Sequence, residues 1–159
     1  MRLILEKITK RYPNGHLALN DFSLEIEKGM FGLLGPNGAG KSSLMRTIAT
    51  LQLPDNGAAS FCNIDILQDP MGLREILGYL PQEFGVYAGV SAVQLLDYLA
   101  VLKGLGSKKQ RQKVIDYVLD LTNLYDVRHK HVKGYSGGMK QRFGIAQLLL
   151  NNPKLLIVD

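Results

Sequence analysis

The chain has 159 residues, of which 46% are hydrophobic and 21% charged, and carries a net charge of +5. A chain of this length buries roughly 70% of its unfolded surface and needs no covalent or metal staple, and its apolar content excludes disorder. A lone cysteine, Cys62, excludes a disulfide framework, three scattered histidines argue against a structural zinc site, and no apolar run approaches the ~18 residues of a membrane span.

Charges interrupt MRLILEKITKRY at the N-terminus before any signal-peptide core forms. The basic residues are dispersed, densest at Lys108, Lys109, Arg111 and Lys113 on one predicted helix, so no specific nucleic-acid partner is expected. Glycine is unusually frequent, at 17 of 159 residues, so the backbone must adopt conformations that side chains resist.

In chain order, LILEKITKRY alternates apolar and polar residues until Pro13-Asn14-Gly15, and FSLEIE alternates again with Phe22, Leu24 and Ile26 on one face. This predicts an antiparallel hairpin with one buried face. MFGLL at 30–34 reads as a strand covered on both faces. It leads through a glycine-rich turn into SSLMRTIATL, which has helical spacing. After a turn at Pro54-Asp55-Asn56-Gly57, AASFCNIDI predicts one short strand. Asp69-Pro70 predicts the cap and first turn of a short helix, and ILGYLP at 76–81 is strand-like.

From about residue 90 the pattern is helical. Ser91 and Gln94 form a capping box ahead of Leu95, Leu96, Leu99 and Leu102. Gly104 and Gly106 end that helix, and Ser107 caps another with a core stripe of Val114, Val118, Leu121, Leu124 and Tyr125. A third helix follows Gly137-Gly138 and stops at Asn151-Asn152-Pro153. LLIVD at 155–159 reads as a buried strand ending in a carboxylate.

Positions 35–43 read GPNGAGKSS, matching G-x-x-x-x-G-K-[ST] through Gly35, Gly40, Lys41 and Ser42. A triphosphate must leave water without losing hydrogen bonds, and successive amides converge on an anion only where glycine lets the chain bend. Gly38, Ala39, Gly40, Lys41, Ser42 and Ser43 are the expected amide donors, with Gly35 and Asn37 completing the loop. Each charge-assisted bond contributes roughly 1.5–3 kcal/mol, against roughly 0.3–1 kcal/mol for the helix dipole, so amides and ammonium dominate. Lys41 is expected to reach the β and γ phosphates and the Ser42 hydroxyl to ligate Mg²⁺. ATP or GTP binding follows; the reaction does not follow from this loop alone.

GYSGGM at 134–139, followed by KQRFGIAQLLL, resembles the signature of the ATP-binding cassette family, and the order of the surrounding motifs is similar to that family's over essentially the whole chain. Gln82 in YLPQE lies 41 residues after Lys41 and matches the Q-loop. Ser136 lies 54 residues later and Asp159, closing a Walker B strand, 23 beyond that. Tyr12 falls where the family places an aromatic against adenine.

The resemblance implies an α/β P-loop NTPase core, incomplete at its C-terminus, with an N-terminal antiparallel β subdomain and a helical subdomain. Residues 1–159 would form one partial cassette: 1–83 the β subdomain and P-loop core, 84–150 the helical subdomain with the signature, 151–159 the Walker B strand. It implies that Gln82 senses the γ-phosphate and contributes to Mg²⁺ coordination with Ser42 and Asp159. Ser136, Gly137 and Gly138 would form a second anion site facing the P-loop of a second cassette in a head-to-tail dimer, with ATP between the two. Catalytic roles fall to Gln82 and Lys41. The implied partner is an integral-membrane permease contacted through residues 84–130, placing the protein on the cytoplasmic face of a membrane.

The departures are specific. Tyr135 and Met139 stand where the family prefers Leu and Gln. The family's catalytic glutamate follows the Walker B aspartate directly, and its switch histidine comes later, whereas His16, His129 and His131 all precede Asp159. The strand between the P-loop and Walker B strands comes from later sequence in this class. The stretch therefore reads as the N-terminal part of a longer product, inactive as an ATPase alone.

Two alternatives stand beside the transporter ATPase: a soluble cassette ATPase acting on ribosomes, and a nucleotide-binding fragment without turnover. The 54-residue interval between Q-loop and signature excludes the coiled-coil insertion of chromosome-maintenance members. GTPases and small-molecule kinases share the P-loop, but the base-reading N-K-x-D is absent and neither class accounts for the Ser-Gly-Gly helix.

Overall fold

A computed structural model describes residues 1–82, 85 and 89–159. It comprises two compact units, Met1–Leu77 with Asp159, and Gly78–Val158.

In the first unit, β1 (Leu3–Arg11) and β2 (Leu17–Ile26) form the expected antiparallel hairpin. β1 also pairs with β3 (Asn56–Phe61), which pairs with β4 (Ile64–Asp65), giving the order β2-β1-β3-β4. The single strand expected over AASFCNIDI is thus two strands. They reverse at Cys62 and Asn63, where Cys62 adopts a left-handed φ of 54°. Alternation in β1 carries a phase change: Leu3 and Leu5 are buried, and then Ile8 rather than Lys7. The register shifts between Leu5 and Ile8, and Lys7 takes a φ of 50° there. An extra residue of this kind keeps the apolar side chains on one face, and the Lys7 amide is satisfied by Ser23 Oγ at 2.9 Å.

The helix after the glycine loop is α1 (Lys41–Ile48), which buries Leu44, Thr47 and Ile48. The short α2 (Pro70–Ile76) starts as its sequence requires: Asp69 Oδ1 accepts from the Gly72 amide at 2.9 Å, with Pro70 in the first turn. Arg74 of α2 donates to Thr50 Oγ1 at 2.7 Å and to its carbonyl at 2.8 Å, so it secures the chain just after α1.

Residues 30–34, expected as a buried strand, have no strand structure, and Met30, Phe31 and Leu34 are exposed. Apolar character sets a preference for burial. A strand further requires a neighbour to take its N–H and C=O groups, and neither sheet includes these residues.

In the second unit, β5 (Leu77–Leu80) pairs with β6 (Leu155–Val158) in a two-stranded sheet. β6 is the expected strand, but Ile157 alone of its residues is buried, and Leu156 and Val158, on the opposite face, are exposed; burial on both faces needs a layer packed against each. The helices α3 (Ala92–Leu102), α4 (Lys108–Leu121) and α5 (Gly137–Leu149) enclose one apolar core. Ser91 and Ser107 make complete capping boxes with Gln94 and Gln110. The α4 stripe is partly rotated from the expected one: Val118 and Leu124 are buried and Val114 packs on the same core, but Ile115 and Leu119 are buried where Leu121 and Tyr125 are expected, and those two are exposed. In α3, Ala92 and Ala100 join Leu95 and Leu96 in the core, and Leu102 is exposed. The basic residues of α4 flank this stripe, and Arg111 grips Asp97 of α3 through two hydrogen bonds at 2.7 and 3.4 Å.

Candidate functional site

The glycine loop and its helix build a cradle within the first unit. Gly38 and Gly40 take φ values of 84° and 86°. Gly40 is doubly constrained, since a Cβ there would lie 2.3 Å from the Ala18 carbonyl oxygen. The positive φ turns the chain into α1 with its first amides facing outward. Asp69, Ser91, Ser107 and Ser136 cap the other four described α-helices with side chains, whereas α1 starts at Gly40 with no side-chain cap. Its first amides are therefore left for an anion.

Lys41 lies over the loop, with Nζ donating to the carbonyls of Gly35 at 2.6 Å and Pro36 at 2.8 Å. An ammonium has three donors, so one remains for a ligand while two hold the loop's curvature. Ser42 Oγ donates to Asp159 Oδ1 at 2.9 Å, across 117 positions of sequence. A hydroxyl and a carboxylate so close form a set of hard oxygen donors, which suits Mg²⁺ rather than a soft transition metal. The cradle thus brings together glycine loop, cation, hydroxyl and carboxylate, the donor set that a magnesium-bound polyphosphate requires.

Tyr12 is half-buried at the end of the β1–β2 hairpin. Its hydroxyl lies 2.9 Å from Ser43 Oγ and donates to Gln52 Oε1 at 3.0 Å. Its ring is parallel to that of His16 within 8°, with centroids 6.4 Å apart. Gln52 also donates from Nε2 to the Ser43 carbonyl at 2.8 Å and to Thr47 Oγ1 at 2.9 Å. Neither Gln52 nor His16 stands out in sequence as a site residue; a polar Gln between Leu51 and Leu53, directly after the loop's helix, is the available signal. Gly35, Asn37, Gly38 and Ala39 are exposed, and Gly40, Lys41, Ser42 and Ser43 half-buried.

Gln82, Ser136, Gly137 and Gly138 belong to the second unit, and all four are exposed. Ser136 caps α5 by accepting from the Met139 amide at 3.3 Å. A Cβ added at Gly137 or Gly138 would meet nothing within 4 Å. The two departures around this motif serve the core. Tyr135 is buried, its ring edge-on to Phe143 and its hydroxyl donating to the Val127 carbonyl at 2.9 Å. Burial pushes its phenol pKa up. Met139 packs against the same cluster. Both side chains are thus turned into the core, while the Ser-Gly-Gly backbone is exposed.

The profile of the ABC transporter family matches residues 19–159. The chain is 39% identical over 158 residues to YxlF of Bacillus subtilis, an uncharacterized ABC transporter ATP-binding protein, covering 99% of this chain and 51% of that one. It thus spans about half the length of that relative. Among solved structures it is similar to cbiO1 of Clostridium perfringens, part of the ABC transporter complex cbiONQ, with a TM-score of 0.87 and 28% identity over 99% of this chain and 64% of that one. It is equally similar in sequence to the dimeric cassette MJ0796 bound to ADP and Pi: TM-score 0.85, 28% identity, 99% and 73% coverage. The motif order, the cradle and these likenesses agree: the chain belongs to the ABC transporter family.

Proposed function

We propose that this chain is the nucleotide-binding part of an ABC transporter ATPase subunit that binds MgATP and, as the full-length protein, couples its hydrolysis to transport through a membrane partner. The observation that carries the reading is the cradle itself, an uncapped helix start beside a lysine ammonium, with Ser42 and Asp159 in contact. In this reading the amides of residues 38–43 and the Lys41 ammonium hold the phosphates, and Ser42, Gln82 and Asp159 serve Mg²⁺, which supplies charge neutralisation at the phosphates. Tyr12 takes the base.

Residues 1–83 serve as β subdomain and P-loop core, 84–150 as helical subdomain and 151–159 as Walker B strand. Ser136, Gly137 and Gly138 present a hydroxyl and amides to the nucleotide held by a second cassette, in a head-to-tail dimer; MJ0796, similar over 99% of this chain, is dimeric with ADP and Pi. None of the described helices is long and apolar enough to cross a membrane; the permease in this reading is an integral-membrane subunit, or a domain outside these residues, and the ATPase is peripheral on the cytoplasmic face through it. The 159 residues alone are expected to bind without turnover, because the family resemblance places the water-activating glutamate outside them.

Titration of full-length protein with MgATP tests the reading. Lys41→Ala removes a charge-assisted bond of roughly 1.5–3 kcal/mol, so binding is expected to weaken by about ten- to a hundredfold. Unchanged affinity in a folded variant overturns the cradle assignment.

A further inference from the structure

The Tyr12 hydroxyl has one proton, and donating it to Gln52 Oε1 leaves its oxygen to accept from Ser43 Oγ. The Gln52 amide nitrogen returns to the Ser43 carbonyl, closing a ring of hydrogen bonds, and its second proton goes to Thr47 Oγ1. One side chain thus joins the hairpin that carries Tyr12 to the first turn of α1, which carries the cradle. All of these contacts are part-buried, where such bonds reinforce one another.

We propose, resting on the nucleotide reading above, that Gln52 is a positioning residue that locks the Tyr12 ring to Ser43, so that the base platform and the phosphate cradle act as one rigid clamp for the nucleoside end of the ligand. Without Gln52 the ring keeps its chemistry and loses its fixed place. A ligand with a base must then order that ring on binding, which costs affinity. A ligand without a base is indifferent. The fold tolerates the change, because Thr47 Oγ1 still donates to the Ser43 carbonyl at 2.9 Å.

The test compares MgATP with magnesium tripolyphosphate, which has the phosphates and no base, on full-length wild type, Gln52→Leu, Tyr12→Phe and the double variant. In each single variant ATP is expected to bind about tenfold more weakly, with tripolyphosphate unchanged within about twofold. The double variant is expected to be no weaker than the worse single one, because both changes break the same ring. Equal losses for the two ligands make Gln52 a structural support of the cradle and overturn the proposal, as do unchanged ATP affinity or additive losses. If Gln52→Leu fails to fold, Tyr12→Phe decides through the same ratio. Wild type that binds tripolyphosphate but shows no base-dependent change refutes the clamp and leaves the cradle standing; wild type that binds neither refutes both.

Discussion

Gly40 combines two constraints that sequence pattern registers as a single motif letter. Its φ of 86° lies where a Cβ is strained, and the space a Cβ would need is filled by the Ala18 carbonyl oxygen at 2.3 Å. Ala18 precedes the buried Leu19 in β2, so relief of the clash requires moving a strand. Gly40→Ala is therefore expected to destabilise the protein by about 1–3 kcal/mol, seen as a lower urea midpoint, together with weakened MgATP binding. A variant that matches wild type in both measurements contradicts the packing of β2 against the loop. The neighbouring Gly38 has the same backbone conformation, but a Cβ there would meet no atom within 4 Å; the sequence shows both glycines, and the structure distinguishes their reasons.

Helix ends are legible in the sequence because caps are local. Asp69, Ser91, Ser107 and Ser136 each bond an amide within three residues, a pattern that needs no tertiary information. Faces and partners are less legible. The α4 stripe is partly rotated because Ile115 and Leu119 turn toward α3 and α5 in place of Leu121, and residues 30–34 look like a strand but have no place in either sheet. The Arg111–Asp97 pair between α4 and α3 belongs to this class, since nothing in a 14-residue separation announces it. The Arg111 guanidinium holds the Asp97 carboxyl below its ordinary pKa despite some opposing desolvation. A depressed folded value means that the pair contributes stability above the unfolded carboxyl value near 4 and loses it as pH falls through the lower, folded value. Both side chains retain solvent contact, so Asp97→Asn is expected to cost only about 0.5–1 kcal/mol at pH 7. The gap between variant and wild type should narrow below about pH 4. Urea unfolding at pH 7 and pH 3 checks this; a gap that is constant or widens in acid contradicts the assignment.

At the scale of the molecule, the order and spacing of four motifs identify the family from sequence, while the contact of Asp159 with Ser42, 117 residues earlier, becomes visible only in the fold. The signature at the start of α5 has an outward geometry, with Ser136, Gly137 and Gly138 exposed and open space around both glycines. Gly137→Asp is sterically free there. It also places a negative charge in the first turn of a helix, where the dipole favours it, so the fold should be unharmed and MgATP binding retained. In the proposed dimer, however, that carboxylate meets the phosphates held by the other copy, and turnover of the full-length protein is expected to stop. Lys41→Ala fails at the opposite half of the same shared site. Mixing the two inactive proteins therefore tests the arrangement without a new structure. In a heterologous pair of the two, one nucleotide site carries both defects and the other carries neither. If each site turns over on its own, random exchange of subunits restores about a quarter of wild-type ATPase activity, since about half the dimers are mixed and each has one intact site of two. The recovered rate should rise with the concentration of either variant while the other is held fixed, as subunit exchange requires. Activity that never exceeds the sum of the separate variants would count against a site shared between copies and would place the function of the exposed Ser-Gly-Gly turn elsewhere.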